Sequence, residues 1–153
     1  MRQVLTVALV LLADQLSKRW AITALSDLPS RTMPAVPGVI RFHLMYNTGA
    51  AFSLFHSAGA VAVLLSAVLV AVLLYLLCFR KDLLPFSRTG LLLALGGGIG
   101  NLVDRIVQGG RVTDFIEPLF VRFAVFNLAD VAIVLGAALT ILSLFKDQAE
   151  KDA

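Results

Sequence analysis

The sequence predicts a membrane all-α fold, four transmembrane helices with a small extracytoplasmic β-sheet, or cradle, from the first outward loop. Three observations predict it. Hydrophobic residues make up 59% of the chain and charged residues 15%, far from the roughly half and one quarter of soluble domains. The run Gly59 to Phe79 has no charged residue and is long enough alone to cross a bilayer, which takes about 20 residues. The basic residues behind the net charge of +3 are scattered beside apolar runs. That is the mark of membrane topology, and it argues against a nucleic-acid partner.

Residues 1–153 read as a single integral membrane domain. The first span covers about 4–25 and is expected to stay in the protein. Its apolar start runs into Asp14, Gln15, Ser17, Lys18 and Arg19, with no small-x-small cleavage site at the usual distance. The loop 26–57 contains Pro29, Pro34, Pro37 and Gly38, and its middle, Ile40 to Tyr46, has large apolar side chains at every second position, a strand with one apolar face. The second span covers about 58–79 and holds Cys78, a single cysteine read as a small packing residue. The short loop 80–88 carries Arg80, Lys81 and Arg88 against Asp82, so it faces the cytoplasm together with both termini. Spans three and four cover about 89–106 and 126–145, and in the outward loop 107–125 the alternation recurs from Leu119 to Val125.

Ionisable residues in membrane segments are expensive, and here they gather at one end. With that topology, Asp14 and Lys18 of the first span, Asn101, Asp104 and Arg105 of the third, and Asn127 and Asp130 of the fourth all reach the outer leaflet. Asp114 lies in the loop between the last two. Spacings of three and four put Asp14 with Lys18, Asn101 with Asp104 or Arg105, and Asn127 with Asp130 on common helix faces. Gly96 and Gly100 match the small-xxx-small pattern of closely approaching membrane helices.

Neither His43 nor His56 accompanies an obvious nucleophile, and no HExxH or Cys/His grouping suits zinc. Carboxylates remain. Two held close share one proton, the charged member taking a proton from water while the neutral one polarises a carbonyl. Each polar residue also has a plainer reading. Asp14 and Lys18 neutralise each other, Arg105 snorkels or pairs with Asp104, and Asp114 is a solvated loop acid. Asp130, at the mouth of an apolar helix, is costly unless bonded or used. A transporter or proton-pathway subunit is one alternative, weakened because the cytoplasmic halves of the spans lack polar residues; a non-catalytic assembly protein is another. A presenilin-type protease would need Gly-x-Gly-Asp, whereas Gly98-Ile99-Gly100 is followed by Asn101.

Five motifs in order then resemble the bacterial lipoprotein signal peptidase, or type II signal peptidase, family: Asp14-Gln15-Leu16-Ser17-Lys18, Asn47-Thr48-Gly49-Ala50-Ala51-Phe52, the stretch Gly96 to Arg105, Val112-Thr113-Asp114-Phe115, and Phe126-Asn127-Leu128-Ala129-Asp130. The resemblance implies that Asp114 and Asp130 are a catalytic dyad. It implies that Asp14, Lys18, Asn47, Gly49, Asn101, Asp104, Arg105, Asn127 and Ala129 support the dyad or hold substrate. The implied enzyme is an aspartic endopeptidase of the bacterial inner membrane. It would remove the signal peptide from diacylglyceryl-modified prolipoproteins on the N-terminal side of the lipidated cysteine, using water, with no metal or cofactor. Globomycin would inhibit it, and the chain is expected to act as a monomer within the bilayer.

Overall fold

Four long helices and a three-stranded sheet make up the computed structural model, which describes residues 2–49 and 58–151. Helix α1 covers Arg2–Leu25, α2 Ala58–Phe79, α3 Pro85–Val107 and α4 Leu128–Lys151. Proline at its first turn lets α3 begin upstream of its apolar run, because a first-turn residue has no intrahelical partner for an N–H. Three helical stretches, Gly59–Phe79, Pro85–Val107 and Leu128–Asp147, are long and apolar enough to cross a membrane. Helix α1 is equally long, but Arg2, Asp14, Lys18 and Arg19 interrupt it.

Helix α3 is the hub, packed against each of the other three. Glycine lets it approach them closely. A Cβ on Gly100 would fall on the Asp14 carboxylate of α1, and one on Gly97 would fall on the Ala129 carbonyl of α4. On the other flank Leu91, Ala94 and Leu95 of α3 pack with Val70 and Leu73 of α2. Cys78, expected to pack, is instead exposed on α2, as befits a thiol on a helix that touches only one neighbour broadly.

The sheet contains β1 (Thr32–Val36), β2 (Ile40–Asn47) and β3 (Val112–Pro118), antiparallel in that order. It is seated on the end of α1. Trp20 meets Phe42 edge-on with ring centroids 4.8 Å apart and Phe115 at 6.2 Å, while Ala21, Leu25, Leu44 and Phe115 form the buried core beneath.

Two expectations are corrected here. The first outward loop supplies only two of the three strands, and the strand of the second loop is Val112–Pro118, not Leu119 to Val125. Alternation misled because Leu119, Phe120, Val121 and Phe123 are exposed. The true strand is buried on both faces from Val112 to Phe115 and carries polar residues there, so it has no alternating signature. Asp114 is therefore a strand residue and not a loop acid.

Candidate active site

Asp114 and Asp130 are brought to either side of one side chain, Asn127. Asn127 immediately precedes α4, and its Oδ1 accepts from the Asp130 backbone N–H at 3.0 Å, while Asp130 Oδ2 accepts from the Asn127 backbone N–H at 3.2 Å. This is a reciprocal capping box. The remaining half of the Asn127 amide, Nδ2, donates to Asp114 Oδ1 at 2.6 Å. One residue thus starts the helix and joins the two carboxylates.

Two further asparagines complete the cage. Asn47 Nδ2 donates to Asp114 Oδ2 at 2.9 Å, and Asn101 Nδ2 donates to Asp130 Oδ1 at 2.8 Å. In all three asparagines the amide orientation is fixed by a group that can only donate. The Gly49 backbone N–H occupies Asn47 Oδ1 at 2.8 Å, the Lys18 ammonium occupies Asn101 Oδ1 at 3.0 Å, and the Asp130 N–H occupies Asn127 Oδ1. Each amide therefore has to turn its NH₂ to an aspartate. The first of these contacts explains Gly49, whose φ of 81° closes a tight Asx turn that a side chain would strain.

Behind the asparagines lies a buried ion cluster. Lys18 Nζ pairs with Asp14 Oδ2 at 2.9 Å and with Asp104 Oδ2 at 3.3 Å. The expected Asp14–Lys18 pair forms, but an Arg105–Asp104 pair does not: Asp104 is taken by Lys18. Among the described residues Arg105 Nε is buried without a hydrogen-bond partner, and the residue lines a cavity of about 250 Å³ with Asn101, Ser66 and Gly98. Ala129 contributes its backbone N–H to Asp14 Oδ1 at 3.0 Å. Ala50, Ala51 and Phe52 of the second motif, and His56, lie outside the described residues.

Each aspartate opens on its own cavity. Asp130 lines one of about 470 Å³ that continues along Val131, Val134 and Leu135 of α4. Asp114 lines one of about 520 Å³ with Met45, Tyr46 and Thr48 of the sheet side. Asn47 and Phe123 to Val125 border both. Burial lifts the Asp114 carboxyl from its ordinary 3.8 to about 6; the Asn47 amide draws it down, the negative Asp130 pushes it up, and Asn127 and Lys18 draw it down again. Such an arrangement raises the proton affinity of one carboxyl toward neutrality and holds two carboxylates in hydrogen-bonded register, the requirement for general acid–base chemistry.

Comparison with known proteins decides the family. The model of signal peptidase (SPase) II matches residues 6–146. The chain belongs to the signal peptidase II family. Lipoprotein signal peptidases of Streptococcus pyogenes serotype M5 (strain Manfredo) and serotype M18 (strain MGAS8232) are each 32% identical over 145 residues, spanning 95% of this chain and 93% of the relative. A bacterial membrane enzyme solved by the in meso method at 2.3 Å superposes with a TM-score of 0.83 at 27% identity, over 98% of this chain and 91% of that one. A second, at 1.9 Å, gives 0.82 over 95% and 94%. As a signal peptidase II the chain is a membrane peptidase.

Two participants were not singled out from sequence. Gln15 and Thr113 sit inside the motifs, yet only folding reveals their contacts. Gln15 Nε2 touches Asp14, Asp104 and the Gly100 carbonyl. The Thr113 N–H donates to Asp104 Oδ2 at 2.9 Å.

Proposed function

We propose that this signal peptidase II is an aspartic endopeptidase that removes signal peptides from diacylglyceryl-modified prolipoproteins, with Asp114 and Asp130 as the dyad. The observation that carries the reading is the Asn127 bridge between the two carboxylates, each of which receives one N–H donor on each oxygen. A water held between them loses a proton to Asp130 as its oxygen attacks the scissile carbonyl carbon. Asp114, whose protonated form burial favours, gives its proton to the carbonyl oxygen. Collapse of the tetrahedral intermediate passes a proton to the departing nitrogen, the C–N bond breaks, and the lipidated cysteine becomes the new N-terminus. Asp14, Lys18, Asn47, Gly49, Asn101, Asp104, Asn127 and Ala129 hold this geometry, and Arg105, whose buried Nε has no partner among the described residues, is available to substrate.

The enzyme works in the bacterial inner membrane as a monomer with four spans. Helix α1 completes the set because its two buried charges, Asp14 and Lys18, pair with each other, which lowers the cost of carrying them in lipid. Arg80, Lys81 and Arg88 keep the α2–α3 turn in the cytoplasm together with both termini. The site then lies at the outer face, where a signal-peptide helix ends and a lipidated cysteine is anchored.

The test is cleavage of a diacylglyceryl-modified signal peptide by purified protein. Asp114→Asn and Asp130→Asn are expected to insert normally and lose at least about a thousandfold in kcat, and globomycin is expected to block the wild type. Wild-type turnover by either variant refutes the dyad.

A further inference from the structure

Both aspartates of the dyad are preceded by a residue whose backbone N–H is held by another carboxylate. Thr113, before Asp114, donates to Asp104 Oδ2 at 2.9 Å. Ala129, before Asp130, donates to Asp14 Oδ1 at 3.0 Å. Asp14 and Asp104 thus grip the two dyad-bearing segments by their backbones, and the separation of the grips fixes how the two catalytic carboxyls face each other. Strand β3 and the start of α4 are also joined by Asn127 Nδ2 on Asp114 Oδ1, and the two grips act on the backbones behind that bridge.

The two gripping carboxylates are buried together with one ammonium. Asp14 is fully buried and Asp104 5% exposed. Lys18 spends its three donors on Asp14, Asp104 and Asn101, which leaves two anions against one cation in a low-dielectric space. Gln15 supplies what is missing. Its Nε2 shares two N–H donors among three acceptors, Asp14 Oδ2 at 3.1 Å, Asp104 Oδ1 at 3.2 Å and the Gly100 carbonyl at 3.3 Å. All three partners are acceptors, so the amide orientation is unambiguous. Gly100, lacking a Cβ, leaves the room in which Asp14 sits.

We propose that Gln15 is a positioning residue for the peptidase reaction: its amide ties Asp14 to Asp104 without adding charge, and through the N–H groups of Ala129 and Thr113 it sets the relative placement of Asp130 and Asp114. The inference rests on the dyad reading above. Gln15 lines neither of the cavities onto which Asp114 and Asp130 open. It borders a separate cavity of about 400 Å³ between α1 and α3, with Lys18, Asp104 and Thr113. Its loss therefore acts on turnover and leaves substrate affinity alone.

Two variants test this on the full-length protein in detergent or lipid, with the diacylglyceryl peptide as substrate. Gln15→Leu keeps the volume and removes the donor. Because Gln15 is only half-buried, the protein is expected to remain folded by helicity and gel filtration. Its kcat should fall about ten- to a hundredfold with KM within about twofold, the scale of a misplacement of about an ångström at a reacting centre. Gln15→Glu adds a third carboxylate, which donates to its neighbours only when protonated. Its kcat relative to wild type is expected to rise as pH is lowered from 8 to 5, a recovery that a merely structural defect does not give. Wild-type kcat in Gln15→Leu, a raised KM at unchanged kcat, or a pH-independent ratio for Gln15→Glu overturns the proposal. Asp114→Asn and Asp130→Asn run alongside separate the two claims. If they are inactive while Gln15→Leu is fully active, only the positioning role fails. If either remains active, the dyad itself fails.

Discussion

At the scale of single residues, the site is organised by asparagines whose carbonyls are already spoken for. Lys18, the Gly49 N–H and the Asp130 N–H each occupy one carbonyl, so three NH₂ groups converge on two carboxylates. The pH dependence follows from Asp114, whose carboxyl is raised from 3.8 to about 6, first by burial. A group raised on folding binds its proton more tightly in the native than in the unfolded protein. Its contribution to stability is complete below about pH 4 and is lost as pH rises through about 6. Thermal melts of Asp114→Asn and wild type at pH 4 and pH 8 should therefore diverge in favour of the variant at pH 8. In the wild type, kcat/KM is expected to decline on the alkaline side as the proposed dyad loses its proton, with an apparent pKa that belongs to the pair. Helical spacing made part of this legible, since Asp14 with Lys18 and Asn127 with Asp130 lie at i, i+4 and i, i+3 and do touch. The grips of Asp104 on Thr113 and of Asp14 on Ala129 were not legible. They run from side chain to backbone between distant elements, and any residue but proline offers the same N–H.

At the scale of elements, α3 brings the site together, and its glycines decide how near the other helices come. The positions differ in what they tolerate. A Cβ at Gly98 would find ordinary contact, with Val70 Cγ2 at 3.4 Å, whereas one at Gly100 would meet Asp14, whose carboxylate is tied to Lys18, Gln15 and Ala129. Gly100→Ala is expected to cost about 1–3 kcal/mol and most of the activity, against a small stability change for Gly98→Ala, measured as unfolding temperature and turnover of the two proteins. Gly96 and Gly100 were readable as a close-approach pattern, and their shared partner is α1, through Val10 and Asp14. Strand β3 could not be read in the same way. Thr113 and Asp114 are buried because they are hydrogen-bonded, so a hydropathy pattern looks elsewhere and finds the exposed Leu119 to Val125.

At the scale of the whole molecule, membrane class and family were both visible in the sequence, because long apolar runs and ordered motifs are local signals. Which loop supplies which strand is a matter of three-dimensional pairing, and only folding decides it. That pairing also bears on how the protein can be altered. Phe126 N–H donates to the Ile116 carbonyl at 3.0 Å, and the N–H groups of Phe115 and Ile116 donate back to the Phe126 carbonyl at 3.0 and 2.8 Å. Leu119 is tied to Val39 at 2.9 Å. The chain between Leu119 and Phe126 therefore leaves and re-enters the fold at fastened points. Added length there is taken up outside the fasteners and costs little in closure entropy, about 0.6 kcal/mol per doubling. A short Gly/Ser insertion after Phe120, upstream of the Phe123 to Val125 segment that borders both cavities, should leave peptide cleavage within a few-fold of wild type, while a single residue inserted between Asn127 and Asp130 should abolish it. The exposed segment 120–122 is thus a natural port for a reporter or sensor domain, through which proteolysis at the bilayer could be watched or gated without rebuilding the enzyme.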